Sequence, residues 1–304
     1  MTGRSRLLGV LLVFAPGLGL AWPAAAQDVD VGALKGTLKK IKDTSTITLG
    51  YRESSLPFSY LNKRNQPIGY SIDLCNAVVE EISKELEGIE IAVKHKKVTS
   101  ETRIPEVRSG GIDLECGSTT ANFERKKEVA FSPIFFVAGT KLLVSRSSGI
   151  GSYRDLRDKT VVATAGTTNE AALRAISDKQ KLGIKLVVGK DHAESFGMLT
   201  EGKADAFATD DVLLYGLVAT TNAGDRYHVV GDYLSYDPYG LMYRKDDPDF
   251  AAIVDRTFSR LAQSRELVQL YNRWFQQRLP TGERLDLPMS PQLEEIFRVE
   301  GVPE

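Results

Sequence analysis

The run Cys116-Gly117-Ser118-Thr119-Thr120 sets small hydroxyl residues directly after an apolar stretch, Ile112 to Cys116, and Arg125 follows about one helical turn later. Backbone N–H groups, hydroxyls and a guanidinium can then meet at one point. A carboxylate is the group such a point holds best, because the planar arginine fork matches two oxygens. Two more arginines stand upstream beside serines, in Arg52-Glu53-Ser54-Ser55 and Ser100-Glu101-Thr102-Arg103. The pattern predicts a site that captures a small molecule with more than one carboxylate.

Each of these residues also has an ordinary reading. Arg125 lies in Glu124-Arg125-Lys126-Lys127-Glu128, and such runs are usually solvated helix faces; its place after the hydroxyl run favours function. Arg52 ends a predicted strand and would otherwise be a plain turn arginine. Arg103 falls in the first turn of a predicted helix, where the dipole disfavours cations, so it meets either an anion or Glu106. His192 follows Asp191, a good N-cap. Asp210 precedes Asp211; if Asp211 caps the helix, Asp210 is left for a cationic ammonium. Thr167-Thr168 open a helix whose free N–H groups suit an anion, or provide an ordinary threonine cap. Phe58, Tyr70 and Phe131 either stack on the aliphatic part of a ligand or belong to the core.

Other chemistries are poorly supported. The sequence has no Gly-x-Ser-x-Gly elbow, no Gly-x-Gly-x-x-Gly and no P-loop. Three histidines and two cysteines give no metal-ligand spacing. A formal net charge of −1 predicts no nucleic-acid partner. No cofactor is expected.

The elements that must carry these residues alternate between strand and helix. Predicted strands cover 46–50, 89–93 and 112–116, with a helix from Gly69 to about Leu86 and a short helix capped by Ser100 and ended by Gly110-Gly111. A second series places strands at 160–164, 185–188 and 204–208, with helices after Thr167, Asp191 and Asp210. Such alternation implies parallel sheets with crossover helices. A constant shift along the chain lays Ser100 on His192, Gly110 on Gly202, Asp113 on Asp205 and Ser118 on Asp210. Each half thus repeats a helix, Gly-x-x-Asp, a strand and a polar residue at the strand's carboxyl end, where open sheets bind ligands. The chain leaves the first unit near 136–141 and returns near 237–242. Amphipathic helices at 248–264 and 266–275 complete the first unit.

Residues 1–26 read as a secretory leader: Arg4 and Arg6, an apolar run from Leu7 to Leu20, and Ala24-Ala25-Ala26 before Gln27. No later segment reaches the ~20 apolar residues of a membrane span. The remaining length suits two domains of ~150 residues: a first lobe of 27–138 plus 241–304 and a second of 139–240. A disulfide between Cys75 and Cys116 and two separate buried thiols both fit an oxidising destination.

Gly69-Tyr70-Ser71-Ile72-Asp73-Leu74 resembles the Gly-aromatic-x-x-Asp-hydrophobic signature of the family 3 periplasmic solute-binding proteins of ABC importers. The resemblance narrows to the glutamate/aspartate-binding proteins through Arg52 to Ser55, Ser100 to Pro105, Glu115 to Thr120, Arg125, Phe131-Ser132, Ala165 to Thr168, Lys190 to His192 and Asp210-Asp211. Cys75 departs from the serine of some relatives. The resemblance implies a two-lobed α/β periplasmic binding protein fold, each lobe a mostly parallel sheet flanked by helices, with two crossover hinge segments. It implies that Ser118, Thr120, Arg125 and Thr168 hold an α-carboxylate, that Asp210 holds the α-ammonium, and that Arg52, Ser100, Arg103 and His192 hold a side-chain carboxylate. The expected protein is a periplasmic, monomeric carrier of glutamate or aspartate that hands its ligand to ABC permease membrane subunits and catalyses nothing. The alternatives are the same fold with glutamine or another dicarboxylate, or a periplasmic dehydratase-type enzyme using Asp210 or Glu115 as its acid.

Overall fold

Short apolar runs rich in β-branched residues form the central strands. Val161, Val162 and Ala163 are all fully buried, as expected of a strand covered on both faces by crossover helices. Their strand, Thr160–Thr164, lies parallel between Lys185–Gly189 and Ala206–Asp210. Thr140–Ser145 then pairs antiparallel with Ala206–Asp210, and Tyr227–Val230 with Thr140–Ser145. A second sheet repeats this plan: Ala92–Lys97, Thr46–Tyr51 and Leu114–Glu115 run parallel, and Met242–Arg244 joins them antiparallel beside Val129–Phe131. A computed structural model describes residues 34–302; the expected leader, cut after about Ala26, lies outside the described residues.

The internal repeat is visible as hydrogen bonding. Gly110 and Gly202 both take φ of 74°, a left-handed turn that glycine adopts at little cost. Three residues later Asp113 Oδ2 accepts the N–H of Thr48 at 2.7 Å, and Asp205 Oδ2 accepts that of Thr160 at 2.8 Å. Each aspartate, just ahead of the central strand of its sheet, therefore locks that strand to its parallel neighbour. A two-stranded ribbon connects the lobes, with Phe136–Ala138 antiparallel to Asp237–Tyr239.

The helix Tyr70–Glu85 buries Leu74, Cys75, Val78 and Ile82 on one face. Cys75 forms a disulfide with Cys116, which decides between the two readings of these cysteines and ties the helix to the loop carrying Ser118. Phe58 and Tyr70 are fully buried among Phe135, Phe136, Tyr239 and Phe275. Their neighbours fill the space around them, so the geometry gives both a packing role at the base of the ribbon. Phe131 is half-buried against Val107, Val129 and Met242.

Several expected boundaries move, and the strand expected at 112–116 shortens to Leu114–Glu115. The strand expected at 89–93 lies at Ala92–Lys97, whose exposed face carries lysines rather than an apolar alternation. The helix expected to start at Ser100 spans Arg103–Ser109, because Thr99 and Thr102 bond to each other and take up the turn. Ser100 is thereby released from capping. The strand expected at 204–208 is Ala206–Asp210, which brings Asp210 itself to the strand end.

Candidate functional site

The carboxyl ends of the parallel strands from both sheets face one another, and the loops that follow them bring the nine expected site residues to one cleft. Arg52 ends Thr46–Tyr51, Ser100 follows Ala92–Lys97, and Ser118 follows Leu114–Glu115. In the other lobe Thr168 follows Thr160–Thr164, His192 follows Lys185–Gly189, and Asp210 ends Ala206–Asp210. Arg103, Thr120 and Arg125 complete the first-lobe side. The lobes touch across the cleft: Arg125 Nη2 donates to the carbonyl of Gly166 at 3.2 Å, and the Thr120 and Thr168 hydroxyls lie 3.3 Å apart.

One half of the cleft is cationic and unsatisfied. Arg52 is 2% exposed, yet neither Nη1 nor Nη2 has a hydrogen-bond partner. Arg103, also 2% exposed, donates through Nη1 to Thr119 Oγ1 at 2.6 Å and to the Ser118 carbonyl at 3.2 Å, while its Nε is left unpaired. It does not pair with Glu106, which bonds to Lys96 instead. The Ser100 and Ser118 hydroxyls are buried without partners. Burial, and then Arg103, push the Arg52 guanidinium down to about 10. His192 lies in the same half and shares a 2.9 Å hydrogen bond with Thr164 through Nδ1. Burial, Arg52 and Arg103 hold its pKa well below the usual histidine range, so it is neutral at pH 7. A buried donor left unsatisfied costs about 1–3 kcal/mol, and more when charged. Several converging on one volume describe a receptor for an anion.

The other half pairs a cation with carboxylates. Arg125 is half-buried and donates through Nη1 to the Thr120 carbonyl at 3.1 Å. Burial and the nearby Arg103 push its guanidinium down to about 9. Thr120 donates to Asp237 at 3.0 Å. Asp210 Oδ1 accepts from Asn169 at 2.7 Å and Oδ2 from the Tyr239 hydroxyl. Asp211 accepts the N–H of Val212, so Asp210 is free of capping duty. Burial and then Asp237 raise the Asp210 carboxyl to about 7. A carboxylate this reluctant to be charged is poised to take a cationic partner.

Sequence reasoning missed Asn169, Thr164, Tyr239 and Asp237 as site residues; it placed Thr119 in the hydroxyl run without a role of its own, and gave Glu115 a role only as a rival acid. Asn169 follows Thr167-Thr168 at the helix start, a signal within reach. Tyr239 and Asp237 sit on the crossover ribbon, which no local pattern connects with Asp210. A cavity of about 610 Å³ beside the helices Pro248–Gln263 and Pro291–Glu300 lies away from this chemistry, and among the described residues its lining holds no comparable set of buried unpaired donors. Among the described residues no cluster of histidine, cysteine, aspartate or glutamate could hold a metal, and no helix is long and apolar enough to cross a membrane.

Residues 47–277 match the bacterial extracellular solute-binding proteins, family 3. The chain is a member of that family. This solute-binding protein is 47% identical over 266 residues to the L-glutamate/L-aspartate-binding protein of Pseudomonas aeruginosa, covering 87% of this chain and 88% of that one. It is 39% identical over 282 residues to the glutamate/aspartate import solute-binding protein of Escherichia coli, covering 92% and 93% of the two chains. Among solved structures it superposes on a mutant arginine-binding protein, ArgBP, of T. maritima with a TM-score of 0.71 at 26% identity, covering 79% of this chain and 99% of that one. The binding protein thus has the two-lobed α/β fold of periplasmic amino-acid-binding proteins, and its relatives carry solutes rather than transform them.

Proposed function

We propose that this protein captures L-glutamate and L-aspartate between its lobes and delivers them to the membrane subunits of an ABC permease. The observation that carries this reading is the cluster of buried, unpartnered donors on Arg52, Ser100 and Arg103, beyond what an α-carboxylate requires. In this assignment Ser118, Thr120, Arg125 and Thr168 hold the α-carboxylate, and Asp210 holds the ammonium. Arg52, Ser100, Arg103 and neutral His192 hold the side-chain carboxylate. Glutamine would leave a cation-rich pocket facing a neutral amide, which the cost of a buried unpaired charge opposes. A dicarboxylate without an amine would set an anion against Asp210. That two similar proteins are glutamate/aspartate-binding proteins supports the choice of ligand.

Capture proceeds by hinge bending at the ribbon Phe136–Ala138 and Asp237–Tyr239. The two segments divide the chain into lobes at 27–138 plus 241–304 and 139–240. The protein acts as a periplasmic monomer after loss of its leader, has no nucleic-acid partner, and binds at micromolar or tighter levels, roughly −8 kcal/mol. Calorimetry on Arg103→Ala tests the selective half: glutamate should lose several-fold more affinity than glutamine, and equal losses would reject the assignment.

A further inference from the structure

We infer that Glu115 is a specificity-determining counter-ion that sets the charge of the distal half of the cleft and positions Arg103 through Thr119. The inference rests on the dicarboxylic amino acid reading above.

Glu115 is 0% exposed and lies at the carboxyl end of Leu114–Glu115, under the loop that carries Ser118. Its Oε2 accepts the Thr119 hydroxyl at 2.6 Å, while Arg103 Nη1 donates to the same Thr119 oxygen at 2.6 Å. The hydroxyl donates one way and accepts the other, so its orientation is fixed and so is the arginine. Oε1 of Glu115 is buried without a partner. Gly117 makes this seat available: a Cβ there would lie 2.3 Å from Glu115 Oε1 and 3.0 Å from Arg52 Cγ. The carboxylate therefore sits beside the Arg52 stem and one hydroxyl away from Arg103.

Charge counting gives the arrangement a purpose. Of the fully buried groups, Arg52 and Arg103 contribute two positive charges, neutral His192 none, and Glu115 one negative charge; Asp191, half-buried and capping its own helix, acts on Arg52 more weakly than Glu115 does. The surplus is a single positive charge, matching a single side-chain carboxylate. Without Glu115 two cations would share one volume, with like-charge repulsion before any ligand arrives. With it, the pocket is balanced by one ligand charge and left unbalanced by a neutral amide. Glu115 itself touches no ligand atom in this scheme; it acts through the arginines.

The test compares glutamate and glutamine affinities of wild type, Glu115→Gln, Glu115→Asp and Thr119→Val by calorimetry at fixed ionic strength. Glu115→Gln keeps an acceptor for Thr119 and deletes the charge; the glutamate-to-glutamine ratio should rise at least fivefold, with lower ligand-free thermal stability. Glu115→Asp keeps the charge and should leave the ratio within twofold. Thr119→Val keeps the charge and breaks the relay, so glutamate should weaken at least fivefold more than glutamine; this variant carries the test if Glu115→Gln fails to fold. A ratio that is unchanged or lowered in Glu115→Gln, or a Glu115→Asp protein that behaves like Glu115→Gln, overturns the inference. A Thr119→Val protein that loses both ligands equally does the same. Wild type that prefers glutamine or arginine overturns the underlying ligand reading instead, which keeps the two failures apart.

Discussion

Replacing Arg52 with methionine should destroy glutamate binding without weakening the fold. The side chain is 2% exposed and its Nη1 and Nη2 lack partners, so both terminal nitrogens are available to a ligand carboxylate. Hydrogen bonds to charged groups contribute about 1.5–3 kcal/mol each. Loss of two removes roughly 3–6 kcal/mol, or two to four orders of magnitude in Kd, taking 1.4 kcal/mol per factor of ten. Glutamine presents one acceptor oxygen there and should lose about half as much. Without ligand the sign reverses. Burial, and then Arg103, press the guanidinium down to about 10, so holding this cation unpaired costs the ligand-free fold stability. Methionine fills similar space with no charge. Calorimetry with both ligands and a ligand-free thermal melt read the two effects. The reasoning is refuted if glutamate weakens less than fivefold, if glutamine weakens as much as glutamate, or if the ligand-free melting temperature drops by several degrees.

Other perturbations follow from the same geometry. Because Asp210 is raised to about 7 and an ammonium binds only its ionised form, glutamate affinity should fall about tenfold per unit as pH drops below 7 and level off above it; calorimetry in buffers of differing ionisation enthalpy should register proton release at pH 6. Ligand-free stability should move the opposite way, rising as pH falls through 7, since a raised carboxyl is better tolerated protonated. Asp210→Asn should weaken glutamate about 10–150-fold, from 1.5–3 kcal/mol, and flatten that pH profile. Removing both cysteines should cost about 4 kcal/mol for a sequence separation of 41 and, by loosening the loop around Ser118, weaken glutamate and glutamine alike in a titration after a denaturant melt.

Much of this architecture is legible in the residues. Val161 to Ala163 and the apolar face of Tyr70–Glu85 declare a buried strand and an amphipathic helix by period alone. Gly110 with Asp113, and Gly202 with Asp205, announce the repeat because the same turn and the same strand lock need the same residues. The edge strand Ala92–Lys97 is not legible, since its lysine-rich residues are held by pairing with Thr46–Tyr51 rather than by an apolar pattern. Arg52 and Arg103 each have an even contest between surface and site on local grounds; only folding shows that both are buried beside the same carboxylate. Ser100 looks like a helix cap, and the Thr99–Thr102 pair takes that task. The partners of Asp210 are unreadable for a topological reason: Asn169 and Tyr239 reach it from 41 and 29 residues away.

Selective binding here requires two distinct anion-binding halves that flank one ammonium site. Titrating the wild-type protein with glutamate, aspartate, glutamine, arginine and glutarate, all in one buffer at pH 7.5, addresses it directly. Glutamate and aspartate should bind at micromolar levels or tighter, with glutamine about a hundredfold weaker or worse for want of a charge at Arg52 and Arg103, and glutarate equally weak for want of an ammonium at Asp210. Glutamine, arginine or glutarate binding as tightly as glutamate would contradict the division of the cleft.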